Sequence, residues 1–471
     1  DAITTGNDNT ALGYSSLSTN TASNRNTAVG SATLATFNVT TDTHTYNTAL
    51  GYGAGNAVTS GINNTLVGGL VGDALTDADD NTAMGRGALS TDTLGSKSTA
   101  IGRNALTTQN FTTATDSHNV AVGYQAGLEV TTATENVLIG GLAGDALNTG
   151  GQNVAVGHAA LSSEDGHGQN VAIGYLALNA QNAGATAYNT AVGASAGAAV
   201  TTGIHNTFVG GLSGDATTDA DYNTALGSRA LTTNVLGSAN TAVGFDALFT
   251  VNPATAVTMY NTAVGYQAGG AVTTGVQNTF IGGLAGDAIT TGDENIVIGY
   301  DSDISAVDGT NQIVMGRGVT GAGNTTFCFG EAANDSAIAF GATTITAPSD
   351  IRLKEDIQDE EVGLDFIKDL RPVTFQWKKE KDVPSEMRAH VADSEERVMN
   401  GKYNHGFIAQ EVKEVIDNHG LKDGFDMWTE DETDGRQRIG EASLMPLMVK
   451  AVQELSAKVE ELEDKLNNKG E

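Results

Sequence analysis

The chain is 471 residues long, with 59 glycines, a single cysteine, 17% charged residues and a net charge of −32. Such an acid excess makes nucleic acid and anionic membrane poor partners, and one cysteine excludes an intrachain disulfide framework. No apolar run approaches the roughly 18 residues of a membrane helix. No signal peptide opens the chain, which begins inside a repeat with Asn9-Thr10-Ala11-Leu12-Gly13 close behind. An anchoring partner at a missing N-terminal region is therefore expected.

The repeat unit is Asn-Thr-Ala-Val-Gly with variants. It begins at Asn9, Asn26, Asn47, Asn64, Asn81, Ser98, Asn119, Asn136, Asn153, Asn170, Asn189, Asn206, Asn223, Asn240, Asn261, Asn278 and Asn295. Most gaps are 17 residues; the longer ones start at Asn26, Ser98, Asn170 and Asn240, so a four-unit period overlies the basic one. Alternation across the second to fourth positions reads as a short strand with one buried face. The invariant fifth-position Gly fits a corner needing positive φ. A second short strand is expected after it, around Leu89, Gly127, Leu161 and Leu178. The reading is a mainly β chain, a parallel β-roll or β-solenoid over residues 1–300, forming a rod on the order of 80 Å long. The Asn column is expected to form an amide ladder between turns. The third-position alanines Ala28, Ala49, Ala83, Ala121 and Ala191 are expected to make a smooth outer face that packs against other copies. The array resembles the head repeats of trimeric autotransporter adhesins, which implies a trimer.

The longer units carry aromatic residues. Phe37, Tyr46, Phe111, Tyr188, Phe249 and Tyr260 are candidate contacts for a host-cell receptor or glycan. Asp73, Asp145, Asp215 and Asp287 recur about four turns apart, too far for the roughly 5–9.5 Å of a glycosidase pair. The histidines share no phase, so no metal site is expected, and nothing in the array asks for a cofactor.

Residues 301–348 keep the alternation in a decaying form, as in Phe327-Cys328-Phe329-Gly330, and read as a β neck in which Cys328 is a buried small residue. Composition then changes at Ser349. Three motifs follow: Ser349-Asp350-Ile351-Arg352-Leu353-Lys354, Leu370-Arg371-Pro372-Val373-Thr374-Phe375-Gln376-Trp377 and His405-Gly406-Phe407-Ile408-Ala409-Gln410-Glu411-Val412. A terminal helix with Met448, Val452, Leu455, Val459, Leu462 and Leu466 at 3-4 spacing completes the set. From Ser349 onward the sequence resembles the intramolecular chaperone domain of endosialidases and phage tail fibres, a self-cleaving serine peptidase family. That resemblance implies a small α+β domain over residues 349–443, a coiled-coil helix over 444–471, homotrimerisation, and cleavage at Pro348-Ser349 with Ser349 as nucleophile and Lys354 as base. Arg352 is expected to help lower the Lys354 pKa. Valine at a with leucine at d favours two strands, whereas the resemblance implies three.

A helix is also expected over Ile357–Leu370, a strand over Val373–Trp377 and loops over 379–402 and 422–438. The resulting expectation is an extracellular trimeric fibre or adhesin, on a phage tail or cell surface. The alternatives are a polysaccharide-degrading tailspike and a repeat protein that binds ice or mineral.

Overall fold

The computed structural model describes residues 3–387, 389–421, 425–431 and 435–468. It divides into two compact units, with the boundary between Pro348 and Ser349.

The first unit is a parallel β-solenoid. Three-residue strands from Thr10–Leu12 to Ile296–Ile298 stack in one sheet, with each Thr, Ala and Val paired to its counterpart one turn on, as in Thr10↔Thr27 and Ala11↔Ala28. Each strand is followed by the glycine, and Gly51 shows why no other residue serves. Its φ is +136°, and a Cβ there would lie 2.2 Å from the Gly68 carbonyl oxygen of the next turn. Later in the turn a second short strand pair forms in two places, Gly95–Ser96 with Thr115–Asp116 and Gly237–Ser238 with Val257–Thr258; directly after the glycine, where it was expected, no strand forms among the described residues. The chain alternates into left-handed backbone instead, as at Ala32 (φ 57°) and Leu34 (φ 46°). This segment still pairs between turns, Ala32 N–H donating to Tyr14 O at 2.8 Å and Leu34 N–H to Ala54 O at 3.1 Å.

The strand faces are the reverse of those expected. Ala28, Ala49, Ala83, Ala121 and Ala191 are fully buried within their own chain, so they form no packing face. The roll is narrow, and only a small mid-strand side chain fits beside the leucines arriving from the opposite wall. The outer face carries the second and fourth positions, including exposed Leu12, Leu50, Met84, Ile139, Leu226 and Ile281.

Core volume explains the four-turn period. In eight turns a mid-strand Ala faces a buried Leu four residues beyond the glycine: Leu17, Leu34, Leu89, Leu106, Leu161, Leu178, Leu231 and Leu248. At Leu66, Leu138, Phe208 and Phe280 the mid-strand residue is large, and the leucine slots on both sides become glycine. A Cβ on Gly197 would meet Phe208 at 2.8 Å, and one on Gly214 at 2.4 Å. One large residue thus fills the interior of two turns.

The asparagines form the expected ladder, pairing backbone groups between turns. Asn64 N–H donates to Asn47 Oδ1 at 2.9 Å and Asn81 N–H to Asn64 Oδ1 at 3.0 Å, while Asn64 Nδ2 donates to Ala78 O at 2.8 Å. These side chains are fully buried, so the ladder satisfies groups that water does not reach. Ser98 is too short to continue it. Gln109 substitutes, donating to Ser98 Oγ at 2.9 Å and accepting from Asn119 Nδ2 at 2.9 Å.

Short strands continue past residue 300, at Ile313–Arg317 and Thr326–Glu331, and the stack then ends with Asn334–Ala339 running antiparallel. Cys328 is buried in this cap, 3.0 Å from Asp335 Oδ2; burial, aided by that carboxylate, pushes its thiol up to about 11.

The second unit has α1 (Leu364–Asp369), α2 (Ala409–Asn418) and α3 (Leu444–Asn467) around a core of Phe366, Leu370, Val412, Ile416, Met427, Leu444 and Leu447. α1 is shorter than expected, and Ile357 is exposed outside it. Val373–Phe375 pairs antiparallel with Asn404–Gly406, and Trp377 lies beyond the strand. A second hairpin, Trp428–Glu430 with Gln437–Ile439, lies where a loop was expected; residues 388, 422–424 and 432–434 of the expected loops lie outside the described residues, as do 469–471 of the expected coil.

Candidate functional site

The Ser349–Lys354 motif folds into one 3-10 turn, Ile351–Leu353. Asp350 caps it, accepting from Arg352 N–H at 2.9 Å, and Leu353 N–H and Lys354 N–H return to Asp350 O and Ile351 O. This turn brings the motif's two ends together: Lys354 Nζ lies 2.8 Å from Ser349 Oγ. That separation suits proton transfer between a nucleophile and its base. Both side chains are exposed. The Arg352 guanidinium holds Asp350 by two hydrogen bonds of 3.0 and 2.7 Å, which keeps the Asp350 carboxyl below its ordinary value.

The remaining motifs act structurally. Arg371 forks onto Glu411, tying the chain before the Val373 strand to α2. His419 Nε2 lies 2.8 Å from Asp369 Oδ2, and its ring meets Phe366 edge-on.

The six aromatic candidates on the shaft separate clearly. Phe37 and Phe111 are buried in their own turns and offer no ring surface, a correction to the expectation. Phe37 holds the interior position seven residues beyond the glycine that Val58, Leu75 and Val130 hold in other turns, while residues 40–42 and 112–114 of the longer loops are exposed. Phe249 is half-buried beneath the Arg229 guanidinium, 4.6 Å from its ring centre. Tyr46, Tyr188 and Tyr260 are exposed. Tyr188 opens a three-ring stack with His205 and Tyr222, with centroids 5.4 and 5.2 Å apart, which sequence reasoning did not find. The signal was available, since all three immediately precede a unit's Asn.

Asp73, Asp145 and Asp215 are each raised above the ordinary carboxyl value by burial. Asp287 differs, because Asp303 from the following turn hydrogen-bonds to it. Burial first, then the Asp287 charge, raises Asp303 from 3.8 to about 7. The folded chain holds this proton far more tightly than the unfolded chain, so its stabilising effect is complete below about pH 4 and is lost as pH rises through about 7. Thermal scans from pH 5 to pH 8 are expected to show wild type losing more stability than Asp303→Asn; parallel curves would refute the pair.

Among the described residues no helix is long and apolar enough to cross a membrane. Residues 349–421 match the family model described as chaperone of endosialidase. Neither the curated proteins nor the solved structures yield a match to the chain. A β-solenoid shaft followed by such a domain fits a fibre that carries its own intramolecular chaperone.

Proposed function

We propose that the chain is the fibre of a host-attachment appendage, assembled as a homotrimer by its C-terminal domain and then cut at Pro348-Ser349. The 2.8 Å contact between Lys354 Nζ and Ser349 Oγ, at the first residues of the matched domain, carries the cleavage reading. Ser349 Oγ attacks the Pro348 carbonyl carbon as neutral Lys354 takes the hydroxyl proton. The proton passes to the departing Ser349 nitrogen, the amide C–N bond breaks, and an ester joins Pro348 to Oγ. Water hydrolyses that ester, leaving a Pro348 carboxylate and a free Ser349 hydroxyl.

A lysine serves as base only when desolvation or nearby cations bring its pKa down. In the single chain it is exposed and its cationic neighbour is paired with Asp350. Burial by neighbouring chains supplies the missing desolvation, which ties cutting to assembly. The trimer reading draws on two exposed apolar stripes, one in each unit: the outer strand face of the shaft and the distal half of α3. An extracellular place and recognition of a host receptor or glycan follow from the fibre reading.

The test is expression of wild type beside Ser349→Ala and Lys354→Ala, read by denaturing gel and intact mass. Two fragments, ending at Pro348 and starting at Ser349, are expected in wild type alone. An intact wild-type chain that is nevertheless trimeric would remove the peptidase and leave the chaperone.

A further inference from the structure

Four loops occupy the same phase of successive four-turn blocks, and each begins with a buried polar residue: Asn20, Asp92, Glu164 and Asn234. Each residue closes its loop in the same way, accepting the backbone N–H three residues on. The acceptor–donor distances are 3.2 Å to Ser23, 3.1 Å to Gly95, 3.0 Å to His167 and 2.9 Å to Gly237. In three loops the second polar atom is also satisfied. Asn20 Nδ2 donates to Ser23 O, Asn234 Nδ2 donates to Gly237 O, and Asp92 Oδ2 accepts from Gln109 Nε2 at 2.7 Å.

The third loop breaks this pattern. The Glu164 side chain is fully buried, yet its Oε2 has no partner. Gln181, one turn on, does not close it as Gln109 closes Asp92: its Oε1 accepts from Asn189 Nδ2 at 2.6 Å and its Nε2 stays unpartnered. The same loop has Asp165 where the second has Thr93, and His167 where that loop has Gly95. His167 Nδ1 is itself buried without a hydrogen bond, 3.3 Å from Glu164 Oε1. One ligand atom from each of Glu164, Asp165 and His167 lies within 4.8 Å of the others, the one such cluster among the described residues.

We infer that Glu164, Asp165 and His167 bind a divalent transition-metal ion of the zinc class. Two carboxylates and an imidazole are a hard-to-borderline donor set that suits Zn2+ over Ca2+. The buried, unpartnered Glu164 oxygen is the feature that asks for a cation, because an orphaned carboxylate oxygen is costly inside a protein. The sequence reading missed the set because it compared histidines with one another. The informative comparison was between loops of one phase, where this one alone gains ligands at three positions.

The test is calorimetric titration of the chelator-stripped full chain with Zn2+. One saturable site per chain is expected, weakened at least about tenfold in Glu164→Gln, His167→Ala and Asp165→Asn and unchanged in His158→Ala. Glu164→Gln keeps the loop-closing acceptor and Asp165 is exposed, so both variants leave the fold in place. Zn2+ binding to wild type no tighter than to His167→Ala and Asp165→Asn would overturn the site.

Discussion

Phe208→Ala is expected to lower the stability of the shaft by about 3–5 kcal/mol, the usual loss for truncating a fully buried phenylalanine. The loss should lie at the upper end, because nothing nearby can collapse into the space. The slots on either side are Gly197 and Gly214, neither of which has a side chain to offer. Leucines cannot be added there while the phenylalanine remains, since a Cβ on Gly214 already falls 2.4 Å from it. The repeat itself supplies the repair. Other turns combine a mid-strand alanine with leucine in this slot, and Leu178 and Leu231 hold it at φ 46° and 55°, close to the 58° and 55° of Gly197 and Gly214. The triple variant Phe208→Ala, Gly197→Leu, Gly214→Leu should therefore recover most of the lost stability, read as the midpoint of denaturant unfolding. In a solenoid each turn contacts only its neighbours, so the damage and the repair stay local. A triple variant no more stable than Phe208→Ala would mean that core volume does not set the four-turn period.

The period, the strand, the invariant glycine and the asparagine column were legible in the sequence, because each is a local backbone demand repeated many times. The direction of the strand faces was not. Thr-Ala-Val alternates equally well with either side inward, and alanine marks a core only when the leucine that fills the opposite wall is known. Phe37 and Phe111 misled for a related reason. The inserted residues themselves protrude, but Phe37 belongs to the regular part of its turn, at the interior position that Val58 and Leu75 hold elsewhere, where burying its ring gains about 1.5–3 kcal/mol. At the junction, the family resemblance pointed to Ser349 and Lys354, and the 3-10 turn that brings their side chains together depends on the Asp350 cap. The same carboxylate that starts the turn also pairs with the Arg352 guanidinium.

Substituting aspartate at Leu455 and Leu462 is expected to abolish assembly, and cutting with it. In the isolated chain these leucines touch no core and are exposed, as are Met448, Val452, Val459 and Leu466. The first half of α3 is anchored, by Leu444, Leu447 and Ala451 in the domain core and by Glu454 accepting from Leu364 N–H at 2.8 Å. A monomer should therefore tolerate the change or become more soluble. An assembly cannot, since each substitution places one carboxylate per chain in the same apolar seam, and an unpaired buried charge costs several kcal/mol. The consequence reaches the shaft because its turns are nearly interchangeable. Thr-Ala-Val pairs with any neighbouring Thr-Ala-Val at little difference in energy, so strands in separate chains can meet one or more turns out of step. On the proposed function, a clamp at one end would fix that alignment before the outer faces close. Light scattering of the purified proteins should give three chains for wild type, and one chain or heterogeneous aggregate for the double variant, with no fragment beginning at Ser349. A double variant that remained trimeric and processed would show that α3 is not the clamp, and the alignment of the shaft would have to come from the strand faces alone.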